Sequence, residues 1–213
     1  MEWLVWSFER QTYARRELVV VDGSLAPVRL ERHGVRAVPA QPGSNVPVKR
    51  NLALAEARGE ILAWFDDDHW QHPERLTKLV DALRAGHLFP RSTHSWFLDL
   101  VSMRCCAHRG RGPLFNGAGF DAELARSVRF DERANRASDT RWLHAVSATR
   151  QRDPLLLDPV VLSFWLCHDR NLSNARDRIP ADRELNELRQ SVGLDAWADT
   201  DERLQELRSR LFP

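Results

Sequence analysis

Three carboxylates stand side by side at Asp66-Asp67-Asp68, directly after the apolar run Ile61 to Phe65. Adjacent like charges repel, and burial worsens the repulsion by disfavouring each charged form. Such a triplet either fans into water or is neutralised by a cation. Hard divalent cations take oxygen ligands, and Mg²⁺ commonly combines a few carboxylates with substrate phosphates. A second acid, Asp22, closes the β-branched run Glu17 to Val21 and leads into Gly23-Ser24. In open α/β sheets, ligands bind outside the carboxyl ends of the strands. Two acidic strand ends therefore argue for a charged ligand site over a solvated acidic turn.

Further residues suit the same chemistry, each with a plainer reading beside it. Arg50-Asn51 opens a helix after the loop Gln41 to Pro47. A guanidinium at a helix N-terminus suits a diphosphate, although alone it is an ordinary surface arginine. Ser138-Asp139 stands at another helix start. A carboxylate there is favoured in its ionised form and can accept a proton as a general base, or it merely caps the helix. His168 follows a strand ending at Cys167 and offers a metal or phosphate ligand, or an ordinary polar loop residue. Gly117-Ala118-Gly119 does not follow the phosphate-loop pattern. Trp64 reads as core. Trp70 and Trp142, beside the acidic residues, present faces for a sugar or base, with core packing as the alternative.

These residues need elements to position them. Helical spacing predicts helices over Glu2–Gln11, Val48–Ala57, Ser138–Ala148, and from Pro73 to about Leu83. Strands are expected at Glu17–Val21, Val35–Val38, Ile61–Phe65, Trp96–Met103 and Val160–Cys167. Alternation of apolar strands with helices in the first half implies an α/β fold with a mainly parallel central sheet covered by helices. Two charged amphipathic helices, near Asp182–Val192 and Thr200–Leu211, close the chain as a helical appendage or a partner surface.

Composition excludes several classes. The chain has 213 residues, 43% hydrophobic and 29% charged, which is a globular composition long enough for one sizeable core. Basic and acidic residues number 31 and 30, a balance that argues against a protein built to coat nucleic acid. The longest apolar runs are too short to span a bilayer. Cys105, Cys106 and Cys167 form neither a zinc spacing nor an even disulfide set, so a reduced, cytoplasmic setting is expected. The first residues carry no basic leader, and no signal peptide is expected.

Taken in order, these segments resemble the family 2 glycosyltransferases, the inverting group with the GT-A fold. Gln11-Thr12-Tyr13 followed by Glu17 to Ser24 is similar to that family's QTY and VDDGS segment. Lys49-Arg50-Asn51 with Ala55 to Glu60 resembles its ARN and GE segment. Trp64 to Asp68, then Pro73-Glu74-Arg75-Leu76, resembles its DxD metal motif. Gly117 to Phe120, Phe130-Asp131-Glu132 and Ser138-Asp139-Thr140 resemble its acceptor-side stretch, and His168 with Asn171 and Ser173 a late H..N.S segment. The resemblance starts at the helix that usually follows the family's first strand, so that central strand is expected to be missing. Val21, Ser138 and His69 stand where the family carries acids.

The resemblance implies a GT-A-like domain over 1–175, Rossmann-related, and an appendage over 176–213. It implies metal-dependent, inverting transfer of a sugar from a nucleotide-diphosphate donor, a UDP-sugar by default, to an unidentified acceptor hydroxyl. Asp139 would be the general base. Asp22, Arg50, Asp66 and Asp67 would hold the nucleotide sugar. Asp66, Asp68 and His168 would hold Mn²⁺ or Mg²⁺. Gly117 and Trp142 would lie on the acceptor side. The C-terminal helices would suit a homo-oligomer. The competing expectation is a GT-A-like binding protein without a complete nucleotide site. A nucleotidyltransferase would need a Gly-rich N-terminal phosphate loop, which these residues do not supply.

Overall fold

The computed structural model describes the chain except residues 27, 88, 93, 110–114, 135–136, 151–156, 158–160, 170–182 and 213. Asn171, Ser173 and the boundary expected at 175/176 lie outside the described residues.

Helix α1, Glu2–Glu9, buries Trp3, Leu4, Val5 and Phe8. It has no polar face of ordinary width because it serves two cores. Leu4, Val5 and Phe8 pack on Leu18, Val20 and Val35, whereas Trp3 joins a larger cluster around Trp70 and Phe164. Strands β1, Leu18–Asp22, and β2, Val35–Pro39, run parallel, with Leu18 opposite Val35 and Asp22 opposite Pro39. Helix α2, Val46–Glu56, starts where the Asn45 side chain accepts the Val48 N–H, with Pro47 in its first turn. Both features satisfy or remove N–H groups that a helix start leaves without partners.

Strand β3, Ile61–Ala63, is shorter than the apolar run predicts, and Trp64 and Phe65 continue as irregular chain. The chain then passes the acidic triplet into β4, His69–Gln71, and helix α3, Arg75–Arg84. Strands β5, His94–Asp99, and β6, Arg104–Arg109, form a hairpin. Its turn includes Met103, held at φ 56. A 3₁₀ turn at Phe115–Gly117 leads into β7, Gly119–Asp121, and the short helix α4, Ala122–Arg126. Helix α5, Ser138–Arg150, and strand β8, Ser163–Cys167, follow.

The sheet is mixed, which corrects the expectation of a mainly parallel one. Among the described residues, β1 pairs only with β2, β3 pairs antiparallel with β7, and four strands run in the order β4-β8-β5-β6. Within these four, only β5 and β8 are parallel. An apolar run says that a strand is buried on both faces. Its direction relative to a neighbour depends on which strand it meets, and β3 meets a strand almost sixty residues on (Ile61 opposite Asp121).

The C-terminal helices α6, Leu185–Val192, α7, Leu194–Trp197, and α8, Thr200–Leu211, complete the main core. Leu188 and Leu204 are fully buried in the cluster that holds Trp70 and Phe164. The Trp70 indole N–H donates to Thr200 Oγ1 at 3.1 Å, and Arg10 donates to the carbonyls of Ala196 and Ala198. Leu188, Val192, Trp197 and Leu204 of these helices thus share one cluster with Trp70 and Phe164, while Leu194 is exposed. No helix among the described residues is long and apolar enough to cross a membrane. The three cysteines are buried, and burial first of all pushes the Cys105 thiol up to about 11 and the Cys167 thiol up to about 12.

Candidate cation and donor site

The acidic triplet lies between β3 and β4, where the chain crosses from one sheet to the next. Asp66, Asp68 and His69 each bring a ligand-capable atom within 4.8 Å of the others. His69 is buried because it begins β4, whose partner is β8, with His69 opposite Trp165. The imidazole stacks on the Trp165 ring, centroids 5.7 Å apart. Its Nδ1 lies 2.8 Å from Asp68 Oδ1, and the Trp165 indole N–H donates to Asp68 Oδ2 at 2.9 Å. The Asp68 carbonyl accepts the Leu166 N–H. Strand β8 thus supplies both the floor and one orienting donor.

Asp66 is approached from the other side. Asn116, in the 3₁₀ turn, donates from Nδ2 to Asp66 Oδ2 at 2.8 Å, and the same nitrogen lies 3.0 Å from His69 Nε2. Arg50 reaches across from α2 to within 3.7 Å of Asp66. Its guanidinium lies 4.4 Å over Phe115 and also faces Trp64 and Phe130. Only 13% of that side chain is exposed. Asp67 points outward, yet the protein around its carboxyl withholds solvent. This desolvation, and then the charges of Asp68 and Asp66, raises its pKa above the ordinary carboxylate range.

Arg75 belongs to the segment Pro73-Glu74-Arg75-Leu76. It is completely buried, with its guanidinium 4.8 Å over Phe65 and a bond to Gln71 Oε1 at 2.9 Å. Its Nε finds no partner among the described residues. Burial lowers its pKa to about 9, against the opposing charge of Asp66. A buried cation without a directly bonded carboxylate is costly, and the charge of Asp66 offsets part of that cost.

Asp22 sits at the end of β1 and organises the loop after it. Oδ2 accepts the Val28 N–H at 2.8 Å and Oδ1 the Ser24 N–H at 2.9 Å. These bonds, Val28 first, hold its carboxyl below the usual range. Asp139 lies in the first turn of α5, half-buried, where it accepts the Thr140 N–H at 2.8 Å. Ala137, just before it, is held at φ 52, a left-handed conformation that a side chain disfavours.

The expected residues therefore separate. Asp66, Asp68 and Arg50 gather at one place. The histidine that joins them is His69, next in sequence, and the expected His168 lies half-buried beyond the end of β8. Gly117 is buried, and its carbonyl accepts the Ser92 N–H. Trp142 is 2% exposed, donates its indole N–H to Val128 O and stacks on Phe130 at 4.8 Å. Its place is in the core, where it supports Trp64 and Phe115 under Arg50. Trp70 is also core, with no exposure. His69 stands where the resembled motif carries an acid, a position that already suits a ligand, whereas nothing in the sequence around Asn116 marks it.

Residues 3–91 match the family model for glycosyl transferase family 2. The resemblance read from the sequence holds for that segment. Two solved structures share the fold. The crystal structure of S. aureus TarS 1-349 superimposes with a TM-score of 0.61 at 16% identity, covering 78% of this chain and 56% of that one. The crystal structure of S. aureus TarS gives a TM-score of 0.58 at 14% identity, covering 93% and 41%. The fold class is accordingly α/β and GT-A-like, and the chain spans about half the length of these proteins. No curated protein matches the chain.

Proposed function

We propose that this chain, whose residues 3–91 match the family 2 glycosyl transferases, transfers a sugar from a nucleoside-diphosphate donor to an acceptor hydroxyl with inversion at the anomeric carbon. One observation carries the reading. Asp66, Asp68 and His69 converge at the end of β3, inside the matched segment. Their donor set, carboxylate oxygens and an imidazole, suits Mn²⁺ or Mg²⁺ held together with donor phosphates. When bound, such a cation supplies positive charge against the charge that develops on the departing diphosphate.

The chain's own residues would then divide the work. Asp66, Asp68 and His69 hold the cation, and Asp67 and Asp22 face the ribose and base. Arg50, fixed over Phe115 and beside Asp66, lends positive charge to the diphosphate. Asp139 accepts the proton of the acceptor hydroxyl as that oxygen bonds to the anomeric carbon. The bond from that carbon to the phosphate oxygen breaks on the opposite face, and its electron pair leaves with the diphosphate. His168 stands as a further polar contact at the strand end.

A second reading, a GT-A-like binding protein without transfer, draws on a specific observation. β1, which ends in Asp22, and β3, which ends three residues before Asp66, belong to separate two-stranded sheets. Among the described residues, no ladder joins the two. Calorimetric titration with uridine and guanosine diphosphates, with and without Mn²⁺, separates the readings when paired with mass spectrometry of sugar donors and acceptors. Metal-dependent nucleotide binding with a transfer product supports the first. Binding without any product supports the second. Absence of metal-dependent nucleotide binding defeats the transferase reading.

A further inference from the structure

The Asn116 amide holds the two atoms that a cation at this site would need. Its Nδ2 carries two hydrogens. One goes to Asp66 Oδ2 at 2.8 Å, and the other points at His69 Nε2, 3.0 Å away. His69 Nε2 must then be the unprotonated nitrogen, which leaves the proton on Nδ1, facing Asp68 Oδ1 at 2.8 Å. The arrangement is self-consistent: one NH₂ group covers one lone pair on Asp66 and the lone pair of His69. An amide nitrogen cannot ligate a cation, whereas an amide oxygen can.

The other end of the same side chain is anomalous. Asn116 Oδ1 is buried and has no hydrogen-bond partner among the described residues. Buried acceptors are normally satisfied, and an orphan calls for a cause. Rotation of the carboxamide by half a turn about Cβ–Cγ exchanges Nδ2 for Oδ1 at the same point. That rotation releases the lone pairs of Asp66 and His69 and presents an oxygen between them.

We propose that Asn116 is both the stand-in and a ligand for the cation. In the metal-free protein its NH₂ group holds Asp66 and His69 together, and on metal binding its Oδ1 turns in beside them. The inference rests on the cation reading of this site. It assigns to the 3₁₀ turn, outside the matched segment 3–91, a part in metal binding. Asn116 touches no reacting atom and acts by holding and joining the ligand set.

Titration of Mn²⁺ alone into the full chain tests it, with two variants. Asn116→Leu keeps the volume but offers neither an N–H nor an oxygen, and should bind Mn²⁺ roughly 10-fold more weakly. Asn116→Asp supplies an oxygen without the NH₂ clamp, and should bind at least as tightly as the parent. In the metal-free parent, imidazole ¹⁵N spectra should show His69 protonated on Nδ1, and that preference should fade in Asn116→Leu. Equal or tighter binding by a folded Asn116→Leu variant overturns the proposal. If that variant does not fold, weaker binding by Asn116→Asp overturns it instead, as does a parent His69 protonated on Nε2. Should the parent itself fail to bind Mn²⁺, the cation reading falls and takes this inference with it. Parent binding that is indifferent to Asn116 removes this inference alone.

Discussion

Trp165 touches Asp68 and His69 at once. Its indole N–H donates to Asp68 Oδ2 at 2.9 Å, and its ring lies parallel to the His69 imidazole, 13° between planes. The carboxylate and the imidazole are also bonded to each other. One tryptophan from β8 therefore sets the orientation of two of the grouped side chains.

Trp165→Phe separates these contacts. The phenyl ring keeps the stack on His69 and loses the N–H to Asp68. Removing an orienting partner of a ligand typically costs about 10–100-fold in metal affinity. Mn²⁺ titration of the variant should show a loss in that range with little change in thermal unfolding. Affinity equal to the parent's would mean that Asp68 is oriented by His69 alone.

Asp139→Asn probes the assigned base. The amide cannot accept the hydroxyl proton, so transfer should fall by roughly 10²–10⁴. Nucleoside-diphosphate binding, read by calorimetry, should be unchanged, because Asp139 bonds to the Thr140 N–H within its own helix start. Transfer at the parent rate would place the base elsewhere.

Asp67 gives a pH dependence with a definite sign. Desolvation and the neighbouring Asp68 and Asp66 raise its pKa above the ordinary aspartate value. The folded state therefore keeps a proton that the unfolded state has already lost. Stability falls as pH rises through the window between these two pKa values, and the cost is complete above the folded one. Asp67→Asn should accordingly be more stable than the parent at neutral pH and equal to it below the ordinary carboxylate pKa. Urea unfolding across pH checks this. A variant no more stable at neutral pH would show that Asp67 is solvated after all.

Gly119 is a packing requirement. A Cβ there would meet Leu79 side-chain atoms at 3.1, 3.2 and 3.3 Å, and Leu79 is fully buried. Overpacking of this kind costs about 1–3 kcal/mol. Gly119→Ala should lose stability in that range by urea unfolding. Combining it with Leu79→Ala should cost less than the sum of the two, since the second change opens the space that the first requires.

Local signals made much of this protein legible. The Ala/Leu-rich helix expected from Val48, the β-branched run closing at Asp22, and the apolar run ahead of Asp66 all report on neighbours in sequence, although the structure starts that helix two residues earlier, at Val46. The order of these segments led to the family that residues 3–91 match. Acidic residues at strand ends were readable because strand ends and charge are both local properties.

The ligand partners were decided by tertiary structure. Strand β4 is three buried residues, His69, Trp70 and Gln71, with no alternating pattern, and it exists because β8 pairs with it from Ser163 to Trp165. Only that pairing turns His69 toward Asp68, where the sequence pointed to His168. Asn116 comes from a turn whose position depends on β7 meeting β3, and nothing near it in sequence marks it. Trp142 was sorted into the core by Phe130 and Trp64, and the C-terminal helices by Trp70 and Phe164. An amphipathic face declares that it will be covered. Which surface covers it, and which way a strand runs beside another, is decided by long-range packing, where each contact is worth little until its neighbours are in place.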